Sequence, residues 1–260
     1  MRRLKLGLWS AVGLMLALSA PVVSQDRQSA APETPGAIAP DLPATAKQPW
    51  QVAMDLVTSA NAHAARKDYG RPASDLHRAL ELEPISDGAY AARAATHAEK
   101  QEIDKAIADY TRATEINSAA IGLRSRLAGL LIDRGRRSLD QKDYDRAITD
   151  SNSALTADPS ATQGHGLRGK AHLGKKNYLP AVADLTFAIQ AAPKSADLYL
   201  SRGRAYDGRD EAQSAVADYS KVIGLEPKMA AAYVLRAAAY ARLKDHVRAG
   251  ADYRAALAIE

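Results

Sequence analysis

A five-residue string beginning with alanine recurs through the second half of the chain. Its leading residues Ala147, Ala181, Ala215 and Ala249 are each 34 residues apart. The same string begins at Ala106, and 34 residues before it Pro72 opens the related stretch PASDLHRALELEP. A chain with a fixed period of this length folds as a row of one supersecondary unit, each copy burying its apolar face against its neighbours. Six units result, over residues 53–86, 87–120, 121–161, 162–195, 196–229 and 230–260. Within each, the apolar spacing is helical and breaks once at a polar turn such as KKNY, GRDE or LKDH, so each unit is two helices, A and B. The third unit is seven residues longer, almost two turns, which keeps the buried face in phase. It is expected to hold one long first helix from about Ala119 to Asp140, projecting from one edge of the array. A single phenylalanine among 260 residues fits helices packed closely through alanine better than it fits strands.

Positions are numbered within the unit, counting back from the end in the longer third one. Position 8 is then Ala60, Ala94, Gly135, Gly169, Gly203 and Ala237, and position 20 is Pro72 followed by five alanines. Only such small side chains let two helix axes approach closely, so these columns mark the crossing of helix A with helix B. Position 24 holds Leu76, Tyr110, Ser151, Leu185, Tyr219 and Tyr253 around that crossing. Pro84, Pro159, Pro193 and Pro227 at position 32 end helix B. Pro72 departs from the pattern and is expected to shorten or shift the first helix B. Six registered copies of this arrangement resemble the tetratricopeptide repeat family over about four fifths of the chain. The resemblance implies an all-α, right-handed α-solenoid of six helix-turn-helix units, the third with a lengthened first helix, occupying residues 50–260.

Position 23 is aspartate in every unit: Asp75, Asp109, Asp150, Asp184, Asp218 and Asp252. Position 7 is arginine in five, Arg93, Arg134, Arg168, Arg202 and Arg236, and is Ser59 in the first. If each aspartate pairs with the arginine of the following unit, the first unit needs no arginine. This predicts the pairs Asp75–Arg93, Asp109–Arg134, Asp150–Arg168, Asp184–Arg202 and Asp218–Arg236, a structural ladder suited to arginine's bidentate fork.

The resemblance also implies a concave wall built from helix A, chiefly through positions 2, 5, 9 and 12. Position 9 carries Asn61, Ala95, Arg136, Lys170, Arg204 and Ala238. Three successive units thus place a cation at one depth, over an apolar floor expected from Ile132, Leu173, Leu200 and Val234. Arg136, Lys170, Arg204 and Asn61 are the candidate partner-binding residues, for a protein or peptide ligand that is acidic if the cations select it. The alternative is a solvated row of charges. The family's carboxylate clamp is not matched, because Val57 and Ala92 occupy clamp positions beside Asn61. No cofactor, metal site or catalytic group is expected. Residues 164–171, GHGLRGKA, contain G-x-G-x-x-G, but Gly169 belongs to a repeat helix rather than to a strand-to-helix loop. His63, His97 and His172 share position 11 with Tyr206 and Tyr240 and read as packing residues, and without cysteine there is no thiolate ligand or nucleophile. Ala249, Tyr253 and Ala256 on the last helix are expected to lie open, which favours a docked partner or a second copy.

Ahead of the repeats, Arg2, Arg3 and Lys5 precede eighteen uncharged residues from Leu6 to Val23, the pattern of an export signal over residues 1–24 cut before Gln25. An uncleaved inner-membrane anchor over residues 6–23 is the alternative. Residues 25–49 are rich in proline and alanine and read as an extended tether. Removing three cations from 35 leaves 32 against 30 acidic side chains, so a formal +5 falls to +2 and gives no general case for nucleic acid. These features suggest a non-enzymatic scaffold in the periplasm or secreted, or else a regulatory subunit of an envelope enzyme complex.

Overall fold

In a computed structural model the described residues are 47–259. The export signal, its cleavage site, the anchor alternative and the tether as far as residue 46 all lie outside them. Among the described residues there are twelve α-helices and no strand, and no helix is long and apolar enough to cross a membrane. The A helices are α1 (Pro49–Ala65), α3 (Asp87–Glu99), α5 (Ile121–Asp140), α7 (Gln163–Gly174), α9 (Ala196–Gly208) and α11 (Ala230–Arg242). The B helices are α2 (Gly70–Leu82), α4 (Ile103–Ile116), α6 (Tyr144–Ala157), α8 (Tyr178–Ala191), α10 (Ala212–Leu225) and α12 (His246–Leu257). Each A helix packs on its own B helix and each B helix on the next A helix.

Helix α1 starts at Pro49, which takes the first helical place where a missing N–H costs nothing. The last residue assigned to the tether therefore belongs to the array. Pro72 is fully buried in the first turn of α2, and that helix begins one position later than the other B helices. Between the two helices of every unit one non-glycine residue takes the left-handed conformation: Lys67, Gln101, Lys142, Lys176, Asp210 and Lys244, with φ of 59 to 62°. The next backbone N–H then reaches back to the A helix, as from Asp68 to the His63 carbonyl at 3.1 Å, sealing the helix end.

The crossing columns are tight. A Cβ on Gly169 would lie 2.7 Å from Leu185 Cγ, and one on Gly203 would lie 2.6 Å from the Tyr219 ring. A second close column joins neighbouring units. Gly174 and Gly208 face Tyr144 and Tyr178 of the preceding unit, whose rings stand where a Cβ would be. Helix α5 is one long helix of 20 residues that begins two residues later than the expected Ala119, and it does not project freely. Its extra turns carry Leu123 and Leu127 into a cluster with Tyr110, Leu131, Ile132 and Ala154. Ser125 also hydrogen-bonds Asp158 at 2.6 Å. Only the start of the helix, with Ile121 exposed, stands clear.

The ladder exists, but its register differs from the expected one. Arginine pairs with the aspartate of its own unit, sixteen residues on: Arg93 with Asp109, Arg134 with Asp150, Arg168 with Asp184, Arg202 with Asp218 and Arg236 with Asp252. Each pair is bidentate through Nε and Nη2 at 2.6 to 3.0 Å. The reason lies at the crossing. Position 7 precedes the small position 8, and position 23 follows the small position 20 by one turn, so both project on one edge of the same hairpin. The link to the preceding unit is made instead by arginine Nη1, which reaches position 25: Asn152 at 2.7 Å, Thr186 at 3.1 Å and Ser220 at 3.0 Å. Arg134 instead reaches Asp104 at 2.6 Å. Ser59 therefore does not mean that the first unit needs no arginine. It leaves Asp75, partly exposed where the other five aspartates are buried, with no ion pair among the described residues.

Candidate functional site

Helices α5, α7 and α9 stand side by side with the end of α8 beneath them, enclosing a groove of about 500 Å³. It holds two of the four candidate residues, Arg136 and Lys170. Arg204 is exposed further along α9 and Asn61 is exposed on α1, and neither lines this groove. The cations do not face open space. Arg136 donates to Asp133 at 3.1 Å and to Gln163 at 3.0 Å, and Lys170 pairs with Asp197. In both cases position 9 of one unit reaches position 2 of the next, so these side chains also tie neighbouring units together. Arg204 has Ala231 at the corresponding place and forms no ion pair among the described residues.

The apolar floor also differs from the expected one. Ile132 is 4 % exposed and belongs to the core, Leu173 and Leu200 are half-buried against neighbouring clusters, and Val234 alone of the four is exposed. The floor consists of Leu139, Leu167, Leu198, Ala188, Ala191 and Ala192. What opens it is Gly166. Position 5 is Val57, Ala91, Ile132, Leu200 and Val234 in the other units and has no side chain here. That column is readable in the sequence as position 5 of the unit. Thr162 and Ser195, which begin the two flanking A helices, make no capping bond with their hydroxyls and lie on the groove's rim.

The sequences that imitate phosphate loops and metal sites have other roles. Gly164, Gly166 and Gly169 are all inside α7. A Cβ on Gly164 would touch Leu155 at 3.0 Å and one on Gly169 would touch Leu185, so these two glycines serve packing. His63 and His97 bond Asp68 at 3.1 Å and Glu102 at 2.7 Å, equivalent residues just ahead of the next helix of their own units. Hydrogen bonds from Lys105 and His97 hold the Glu102 carboxyl down at about 2. His172 has Asn177 in place of that acid, and its Nδ1 is buried without a partner. Burial pushes its pKa below the ordinary value, with Arg168 and Lys175 adding to the shift and Asp184 opposing it. No group of three or more potential metal ligands occurs among the described residues.

Around four of the five ladder arginines, positions 4 and 11 supply rings, and Arg134 has Leu131 and Ser138 there instead. Arg202 lies 5.7 Å from the Tyr199 ring centre and 5.8 Å from that of Tyr206, and Arg236 is held likewise between Tyr233 and Tyr240. These distances are within reach of cation–π attraction. In the fourth unit His165 and His172 take the two positions, and His165 bonds Asp184 at 3.0 Å. Burial pushes the Asp184 carboxyl up, but Arg168 and His165 outweigh it and hold it below its ordinary value.

Models of the tetratricopeptide repeat match residues 88–119, 132–196 and 196–259. The chain belongs to the tetratricopeptide repeat family. No curated protein matches its sequence. Among solved structures, the repeat array is similar to a MamA protein at 21 % identity and a TM-score of 0.53, covering 67 % of this chain and 91 % of that one. It is also similar to YrrB, described as a tetratricopeptide repeat protein with an unusual peptide-binding site, at 17 % identity and a TM-score of 0.56, covering 71 % and 92 %. A MamA fragment from Desulfovibrio magneticus RS-1 aligns at 20 % identity and a TM-score of 0.50, covering 66 % and 94 %. At these identities the likeness concerns the fold.

Proposed function

We propose that the chain is a non-enzymatic scaffold that binds a protein or peptide along the concave side of its A helices. The groove between α5, α7 and α9 carries this reading: three rigid helices leave an unfilled, partly apolar channel of about 500 Å³ with hydrogen-bonding side chains on its rim. A preformed surface of this kind loses little conformational entropy when a ligand binds. The peptide-binding site attributed to YrrB, on a similar fold, supports the same use. Export to the periplasm or beyond is part of the proposal, supported by the basic and apolar pattern of residues 1–24. An accessory role beside an envelope enzyme is the same binding act with a specific partner.

The test is crosslinking capture from cell envelopes with the full chain, run beside a variant with Gln163 and Lys170 both changed to tryptophan, which obstructs the groove. Loss of the captured partners in the variant supports the groove. Equal capture refutes it. A mature chain beginning at Gln25 by mass spectrometry supports export, and an intact Met1 in envelope fractions speaks for the anchor.

A further inference from the structure

We propose that the notch at Gly166 is a pocket for one branched apolar side chain of an extended, uncharged peptide segment. The proposal rests on the concave groove being the binding face and adds the chemistry that the groove selects. Three observations carry it. First, packing constrains this glycine less than it constrains the others of its kind. A Cβ at Gly166 would lie 3.2 Å from Leu198 Cδ2 and 3.5 Å from Ala188 Cβ, so that Leu198 need give by only a few tenths of an ångström, whereas Gly135, Gly169 and Gly203 face atoms at 2.6 to 2.7 Å. A glycine inside a helix is a destabilising choice relative to alanine, and position 5 is apolar in every other unit. Here alone the column is emptied, and the emptied place lies over a floor of Leu139, Leu167, Leu198 and alanines.

Second, the charges on the rim are already matched. Asp133 and Asp197 neutralise Arg136 and Lys170, and Asp140 adds a further carboxylate to the lining. An acidic ligand would have to displace Asp197 and then face Asp140, while a basic one would compete with Lys170 for Asp197. A neutral side chain meets neither obstacle and buries apolar surface. Third, the hydroxyls of Thr162 and Ser195 make no capping bond, and they flank the pocket at the mouth where the backbone of a peptide would pass.

The experiment is NMR titration of the isotope-labelled full chain with acetylated, amidated pentapeptides of sequence Ser-Ala-Leu-Ala-Ser and the same sequence with glutamate or lysine at the centre. The leucine peptide is expected to shift the amide signals of Gly166, Lys170 and Leu198. It should bind about tenfold or more tighter than the charged peptides, the scale set by burying one leucine side chain. Gly166→Val, which fills the notch, should abolish the preference for leucine while leaving the circular dichroism spectrum unchanged. Gly166→Ala should only weaken it. A tighter glutamate peptide, shifts mapping elsewhere, undiminished leucine binding by Gly166→Val, or no binding of the leucine peptide would each overturn the pocket. None of these results would refute the groove itself, which stands or falls on the capture experiment.

Discussion

Changing Asp218 to alanine removes both hydrogen bonds that Arg202 makes within its unit, each 2.8 Å long. The guanidinium, with 17 % of its side chain exposed, is left with Thr186 and the rings of Tyr199 and Tyr206. Breaking a fully buried pair costs about 3 to 5 kcal/mol by stranding a charge. Because water reaches part of Arg202, a loss of about 2 to 4 kcal/mol is expected after discounting for that exposure. In a domain of this size that corresponds to a fall of roughly 5 to 15 °C in melting temperature. Asp252→Ala should cost a similar amount, since Arg236 holds it with the same geometry, whereas Asp75→Ala, with Ser59 opposite, should cost less than about 0.5 kcal/mol. Thermal and urea unfolding followed by circular dichroism, with the three variants side by side, measures this. A large loss for Asp75→Ala together with none for Asp252→Ala would show that the pairs run between units and refute the pairing within them.

Gly174→Ala forces a Cβ into the Tyr144 ring and should destabilise the array by about 1 to 3 kcal/mol. Gly129→Ala, with nothing within 4 Å of its Cβ, should instead stabilise it by about 0.5 to 1 kcal/mol, and urea midpoints separate the two. His172 is held neutral in the fold, its pKa below the ordinary 6.5, so the unfolded chain binds its proton first and stability should fall as pH drops from 7 towards 5. His172→Tyr, which restores the residue type of the next two units, should flatten that slope in melting temperature. Lys176, at φ 60°, gains from losing its side chain's clash with the backbone, and Lys176→Gly should raise stability by up to about 1 kcal/mol in denaturant unfolding.

The architecture was legible because it is written six times over. The alanine and glycine columns at positions 8 and 20 located every helix crossing, and six copies left little freedom in the hairpin geometry. What a period cannot supply is the phase of contacts between columns. Position 23 of one unit is near position 7 of both its own unit and the next in any linear reading, and Ser59 was consistent with either pairing. The choice depends on which edge of the crossing each side chain leaves from. The groove was harder still to read. Arg136 and Lys170 were visible as cations, but the carboxylates that neutralise them, Asp133 and Asp197, come from another turn and another helix. The pocket's decisive residue is a missing side chain at Gly166. Similarly, Tyr253 is exposed as expected, at 43 %, while Ala249 and Ala256 are buried against α11 despite lying on the last helix.

Under the proposed function, partners bind the concave side of the A helices around α7. Site-specific photo-crosslinking in envelopes tests it most directly, with benzoylphenylalanine at Gln163 on the groove and, in a second chain, at the exposed Leu179 of helix B. A discrete adduct from position 163 that is lost on adding Gly166→Val, and none from position 179, is the expected result. An adduct from position 179 with none from 163 would contradict it.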